Sequence, residues 1–205
     1  MSHKRMKYKA GLTLIELIIS ISFLGLVVLS AVTINLSADR FLNAENTQVR
    51  LTNEVALALE RIARDIKLSF GNPPATLPAN PAFRILDPGV ISGNELQLRK
   101  KDIAPLGTGA NDQWTGYRFN NANRTIEVHD DLFGGVGSWE TLVENVVVIN
   151  DIFQAIDTDN NGDALNDNVI RVEITCRQDP TQAQSVTNPE VTLVSTMHIQ
   201  AVASR

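Results

Sequence analysis

The sequence is poor in the residues that indicate a disulfide scaffold, a catalytic site or a nucleic-acid-binding surface. It has a single cysteine, Cys176, so no disulfide can form within the chain and the fold must depend on its hydrophobic core and hydrogen bonds. Histidine occurs three times without metal-ligand spacing, and no nucleophile or zinc-enzyme motif is present. No basic stripe with interleaved aromatic residues occurs either. We therefore expect neither an enzyme nor a protein whose main partner is nucleic acid.

The charges are unevenly distributed along the chain. Four of the 18 basic residues lie among the first eleven positions, which contain no acid. The remaining chain has 14 basic residues against 23 acidic ones, a formal charge of about −9. A body this acidic repels the phosphates of nucleic acid. With 205 residues, of which 43% are hydrophobic, the chain has the composition of one globular domain plus an anchor.

A long apolar run follows the basic residues. Residues 12–34 contain 23 positions and one charge, Glu16. At ~1.5 Å per residue, a helix of this length spans about 34 Å, which is enough to cross a hydrocarbon core of ~30 Å. The basic residues before the run place the N-terminus in the cytoplasm and the body outside. A secretory signal peptide fits poorly, because its apolar region is only ~7–15 residues long. A plain signal-anchor fits the length but leaves Glu16 unexplained.

Glu16 is the one charged residue in this apolar run, and its presence there needs a chemical explanation. A carboxylate near hydrocarbon costs up to about 3 kcal/mol even on lenient insertion scales, and the run itself offers no charged partner. Cleavage between Gly11 and Leu12 would create an α-amine at Leu12 that is cationic at neutral pH. An adjacent subunit, shifted along its axis, could bring this amine to Glu16. The sequence therefore predicts that proteolysis couples membrane exit to assembly.

The segment KAGLTLIE, residues 9–16, resembles the prepilin cleavage and methylation motif of type IV pilins and type II secretion pseudopilins. The resemblance implies that a membrane-bound prepilin peptidase cuts after Gly11 and N-methylates Leu12. It implies that Glu16 governs assembly with other pilins or pseudopilins in the bacterial inner membrane. It also implies a pilin-like fold whose body lies in the periplasm and enters a pilus or pseudopilus after assembly. Leu12 departs from the phenylalanine that is usual at this position.

The helical pattern continues beyond the apolar run. Apolar residues recur at helical spacing in one stripe, formed by Leu51, Val55, Leu59, Ile62 and Ile66. Charged residues, among them Asp65, fill the other faces, and Gly71 followed by two prolines ends the helix. We predict one nearly continuous helix over residues 12–69, whose stripe packs on a sheet.

The rest of the chain has the pattern of a β-rich body. Short strands are predicted at 83–86, 95–100, 115–119 and 125–129, the last two joined by a hairpin turn at 120–123. Longer strands are predicted at 143–153, 169–176 and 191–201. Together these elements predict an α+β fold, a long N-terminal helix packed on an antiparallel β-sheet. Cys176 falls on the apolar face of its strand, which indicates a buried and inert thiol.

The predicted organisation follows from these elements. It comprises a cleaved basic leader at 1–11, a transmembrane or filament-core half of the helix at 12–35, an amphipathic half at 36–71 and a globular domain at 72–205. Residues 61–66 and the late pair of long strands resemble most closely the PilW-type minor pilins and the J-type pseudopilins. The expected function is a minor pilin that helps to initiate or cap a type IV pilus. A type II secretion pseudopilin is the alternative within the family, and a membrane-anchored, calcium-dependent adhesion or binding module is the alternative from another class.

An acidic stretch between two predicted strands offers a candidate metal site. In DTDNNGD, residues 157–163, oxygen-bearing side chains at alternate positions precede a glycine, the arrangement by which a short loop curls around Ca²⁺. The candidate ligands are Asp157, Asp159, Asn161, Asp163 and Asp167, the last of which could replace the missing bidentate glutamate. A metal-free turn is the other interpretation, since Asn, Asp and Gly favour turns. The mutual repulsion of four acids favours the cation.

Overall fold

The structure, a computed structural model, describes residues 13–69, 71, 82–88, 91–101, 113–134, 137–148, 150–160, 162, 164–165 and 167–199. The chain divides into two compact units, Met1–Asn43 and Ala44–Arg205. One helix, α1, runs from Leu14 to Leu68, which confirms the predicted continuous helix. The described residues after it form β1 Phe83–Pro88, β2 Ser92–Lys101, β3 Gln113–Asn120, β4 Thr125–His129, β5 Glu140–Val143, β6 Phe153–Ala155, β7 Val169–Arg177 and β8 Glu190–His198.

These strands form one antiparallel sheet in the order β5-β4-β3-β2-β6-β7-β8, and β1 also pairs with β2. The β3–β4 pair is the predicted hairpin, with Asn120 opposite Thr125. The β2–β6 pair, in contrast, joins segments that are far apart in the chain, with Gly93 opposite Phe153. This pairing connects the β3–β4–β5 part of the sheet to the late strands β7 and β8. The predicted α+β fold, a long helix on an antiparallel sheet, is confirmed.

The hydrophobic core lies between the second half of α1 and one face of the sheet. The helix contributes its predicted stripe, and all five side chains from Leu51 to Ile66 are buried. The sheet contributes the inward residues of β7, Ile170, Val172 and Ile174, which alternate with partly exposed ones as a period of two requires. Each fully buried aliphatic side chain contributes about 1.5–3 kcal/mol relative to an exposed one. The stripe therefore supplies much of the free energy that fixes the helix to the sheet.

Asp65 corrects the expectation that it lies on a polar face of the helix. It follows Ile62 by three positions and is 1% exposed at the margin of the stripe. Its Oδ2 atom accepts a hydrogen bond of 2.5 Å from the Tyr117 hydroxyl of β3, and Lys100 Nζ of β2 lies 3.0 Å from the same oxygen. A buried carboxylate is tolerated when it is hydrogen-bonded and paired with a cation. Two strands therefore supply the hydrogen bond and the nearer cation, in addition to Arg64 of the helix, whose Nε lies 3.7 Å from Asp65 Oδ1.

The predicted strand over 143–153 is wrong as a single element. Strand β5 ends at Val143, and Asn145 follows with a φ of 59°, in the left-handed region that interrupts extended backbone. Val146 then makes an isolated bridge to Cys176, and β6 begins only at Phe153. The three valines at 146–148 are therefore buried or half-buried beside the end of β7 without joining a continuous ladder. The predicted strand 191–201 corresponds to β8, whose last residue is His198.

Cys176 is fully buried, as its position on the apolar face of β7 predicts. Burial, together with the negative charge of Glu54, raises the pKa of its thiol to about 12. A thiol of this kind is protonated at neutral pH and a poor nucleophile. Cys176 therefore acts as a small apolar side chain of the core.

Candidate functional site

The first part of α1 exposes apolar side chains along its length. From Leu14 to Leu36 the large hydrophobic side chains are between 48% and 78% exposed. The helix is long and apolar enough to cross a membrane. Hydroxyls within the run donate to backbone carbonyls four residues earlier, at 2.7–2.9 Å, from Ser20, Ser22, Ser30 and Thr33. These bonds matter in hydrocarbon, because an unsatisfied polar group there costs several kcal/mol.

Glu16 has a partner that the sequence reasoning missed. The backbone N–H and the hydroxyl of Thr13 both donate to Glu16 Oε2 at 3.0 Å. The backbone N–H of Glu16 donates in return to Thr13 Oγ1 at 3.3 Å. This reciprocal pair is a capping box, in which the first turn of a helix satisfies its own free N–H groups. The spacing Thr-x-x-Glu before an apolar run is the signal that could have revealed it. Gly11 and Leu12 lie outside the described residues, so the cleavage site and its α-amine stay predictions.

The acidic loop connects β6 to β7 and brings together three of its five candidate ligands. Carboxylate oxygens of Asp157, Asp159 and Asp167 all lie within 4.8 Å of one another. Gly162 has a φ of 89°, which a residue with a side chain rarely adopts. This is the glycine that the loop pattern predicts at the sharp turn. Asn161 and Asp163 lie outside the described residues.

The same carboxylates also accept hydrogen bonds within the loop. Gly162 N donates to Asp157 Oδ2 at 2.7 Å. Thr158 donates to Asp167 Oδ2 from its backbone N–H and, at 2.8 Å, from its hydroxyl. An all-oxygen set of three carboxylates fits a hard cation such as Ca²⁺ and does not fit a soft metal. The internal bonds are also those of a metal-free turn, so calcium binding stays a prediction.

A polar cluster at the end of α1 ties the helix to the sheet. Besides the Asp65–Tyr117–Lys100 contacts, Arg61 Nη2 donates to both carboxylate oxygens of Asp130, which follows β4, at 3.1 and 3.2 Å. Burial and the hydrogen bond to Asp65 raise the pKa of the Tyr117 hydroxyl far above its usual value. The hydroxyl is therefore a neutral hydrogen-bond donor at any physiological pH. This geometry positions the helix on the sheet and presents no activated nucleophile.

Comparison of the chain with models of protein families, with curated proteins and with solved structures found no match in any of the three. Its function therefore has to be inferred from its own residues.

Proposed function

We propose that the chain is a pilin-like structural subunit, a minor pilin of a type IV pilus that acts in initiation or at the tip. Helix α1 carries the proposal, because one continuous element serves two purposes. It is apolar and exposed from Leu14 to Leu36, and it buries the Leu51–Ile66 stripe on its own sheet. A plain anchor requires only the first of these properties. A filament subunit requires both, because its helix must leave the lipid and pack among neighbours while it stays fixed to its body.

Glu16 supports the proposal because, within one chain, its carboxylate accepts hydrogen bonds only from neutral donors among the described residues. Its carboxylate is hydrogen-bonded to Thr13 but has no cation among the described residues of the helix turn around it. Hydrogen bonds from neutral donors leave a negative charge near hydrocarbon uncompensated. The α-amine of a processed neighbour would supply the missing charge. Assembly would then be favoured by an ion pair that a single subunit cannot complete.

The chain would be inserted, processed and assembled in three steps. The N-terminus starts in the cytoplasm, the helix crosses the inner membrane, and the body lies in the periplasm. Prepilin peptidase cuts after Gly11 and methylates Leu12. Other pilins then pack against the exposed part of the helix. No step requires the chain itself to catalyse a reaction.

The processing step is tested by intact mass and N-terminal sequencing of the protein extracted from its native membrane. We expect the mature chain to begin at N-methylated Leu12. A Gly11→Ala precursor should keep its leader and stay out of filaments. A mature chain that retains Lys4 to Lys9, or one that is cut beyond the apolar run and released, would contradict the proposal.

The charge-pair step is tested by two variants of Glu16. Glu16→Ala should be processed but not incorporated into filaments. Glu16→Gln keeps an oxygen that can accept the hydrogen bonds from Thr13 but removes the charge, so it should also fail. Ser20→Ala is the matched control, because it removes a polar side chain from the same run and should assemble normally. Incorporation of Glu16→Gln at the wild-type level would refute the ion pair and leave the capping box as the role of Glu16.

Two other functions make predictions that differ from this one. A type II secretion pseudopilin uses the same anchor chemistry, and the genes adjacent to this one, for pilus assembly or for secretion, distinguish it. A membrane-anchored, calcium-dependent adhesion module is favoured by the clustered carboxylates of Asp157, Asp159 and Asp167. It predicts that a Gly11→Ala precursor retains full function and that removal of calcium abolishes it.

A further inference from the structure

A polar cleft lies on the face of the sheet opposite the helix. Its floor is a row of three residues in register across neighbouring strands, since Ser92 of β2 is opposite Gln154 of β6, and Gln154 is opposite Arg171 of β7. Arg171 and Glu173 alternate with the buried residues of β7, which places them on the outer face. The cleft has a volume of about 460 Å³, within the ~300–1,000 Å³ of small-molecule sites.

The cleft is lined by an arginine, Arg171, whose guanidinium is only partly paired. Arg171 Nε is buried, and none of the described residues accepts its hydrogen. The Nη2 atom of the same guanidinium is occupied, because it donates to Glu173 Oε2 at 2.7 Å. Nε itself has almost no accessible surface, so a ligand reaches the guanidinium through the other N–H groups of a side chain that is 42% exposed. Glu173 holds the guanidinium in place, and the exposed N–H groups of Arg171 can donate to a ligand.

The chemistry of the lining narrows the class of ligand. Two carboxylates, Asp151 and Glu173, stand against one guanidinium, so an anion is repelled. Asp151 accepts a hydrogen bond of 2.5 Å from Ser92, and Glu173 is paired with Arg171. Both carboxylates therefore already have partners, which a bound cation would have to displace. Asn150 and Gln154 add amides that both donate and accept. The described lining residues include no aromatic side chain and one aliphatic, Ile152, which is 2% exposed.

We propose that this cleft binds a neutral, polyhydroxylated ligand of the size of a mono- or disaccharide. Hydroxyl groups can donate to the carboxylates and amide oxygens, and ligand oxygens can accept from the amide N–H groups and from the exposed part of the Arg171 guanidinium. An apolar ligand would leave these groups unsatisfied, which costs affinity. The site is independent of processing at Gly11, and it gives the body a binding function in addition to assembly.

The test is saturation-transfer difference NMR on the full chain in phospholipid nanodiscs, since many detergents carry sugar headgroups. The probes are glucose, galactose, N-acetylglucosamine and maltose, with acetate and inorganic phosphate as anionic comparisons. We expect ring protons of at least one sugar to be saturated, with a dissociation constant in the millimolar range. Absence of saturation for all four sugars, or saturation of acetate or phosphate alone, would overturn the proposal.

Two variants and a control connect the signal to the cleft. Arg171→Met keeps the aliphatic stem and removes the guanidinium. Gln154→Leu replaces an exposed amide on the neighbouring strand with an apolar side chain of similar size. Each should weaken the sugar signal at least fivefold. Arg50→Met is the matched control on the helix, where the arginine is largely exposed and should not affect binding. Because Gln154 is exposed, its variant also tests the site if Arg171→Met unfolds. A signal that persists unchanged in folded Gln154→Leu and Arg171→Met would refute the assignment.

Discussion

Substitution of Tyr117 by Phe should lower the free energy of unfolding of the body by about 2 kcal/mol. The change removes one fully buried hydroxyl, whose hydrogen bond to Asp65 measures 2.5 Å. A hydrogen bond to a charged group contributes about 1.5–3 kcal/mol. Asp65 is not left alone by this change, because Lys100 Nζ still lies 3.0 Å from the same carboxylate oxygen. The loss should therefore be limited to that one bond.

Substitution of Asp65 by Ala should cost more, about 3–5 kcal/mol, because it leaves the buried Tyr117 hydroxyl without an acceptor and breaks a buried pair. The side chain of Lys100 is 24% exposed and can still reach water, which keeps the loss within this range. Adding Tyr117→Phe to Asp65→Ala should cost little further, because the stranded hydroxyl is then removed. The double-mutant cycle should give a coupling energy of about 1–2 kcal/mol.

Urea unfolding followed by tryptophan fluorescence measures these differences, since Trp114 and Trp139 both belong to the Ala44–Arg205 unit. Thr141→Val is the matched control, because it removes an exposed hydroxyl from β5 and should change stability by no more than about 0.5 kcal/mol. If Tyr117→Phe is as stable as this control, or if the cycle gives no coupling, the polar cluster does not hold the helix on the sheet.

Three other predictions concern calcium, alkaline pH and the thiol. Millimolar Ca²⁺ should raise the Tm of the body and Asp157→Ala should abolish the rise, whereas an unchanged wild-type Tm would count against the calcium site. Burial and the bond to Asp65 raise the Tyr117 pKa, so its contribution is complete below pH ~10 and is lost as the pH rises above that value. The stability difference between wild type and Tyr117→Phe should therefore narrow in alkali, and a constant difference would refute this origin. Cys176, whose pKa burial raises to about 12, should react with a thiol reagent at pH 8 only after unfolding in urea, and rapid reaction of the folded protein would show that the thiol is accessible.

The features that depend on neighbours in sequence were predictable from the sequence. The Leu51–Ile66 stripe is fixed by the helical repeat, and all its members are buried. The alternation in β7 and the turn between β3 and β4 are equally local, and both are confirmed. The Thr13–Glu16 capping box is local as well, because the two residues are three positions apart, so the sequence contains the information needed to predict it.

The features that depend on distant segments were not predictable. The buried oxygen of Asp65 that faces the sheet is paired by Lys100 of β2 and Tyr117 of β3, and a helical pattern contains no information on either. The cleft row from Ser92 to Arg171 depends on the pairing of β2 with β6, which no turn dictates. At the acidic loop, the sequence indicates that Asp157, Asp159 and Asp167 lie close together. It does not distinguish a metal site from a metal-free turn, because both are built from the same residue types.

The direction of the buried stripe has a mechanical consequence. Its five side chains lie along the helix axis, one after another from Leu51 to Ile66, and all are inserted into the same core. A tensile load along that axis acts on them in shear, so they resist together, whereas a load across the axis would peel them away in sequence. A pull on the N-terminal end of the helix therefore loads this packing along the direction in which all five side chains resist at once.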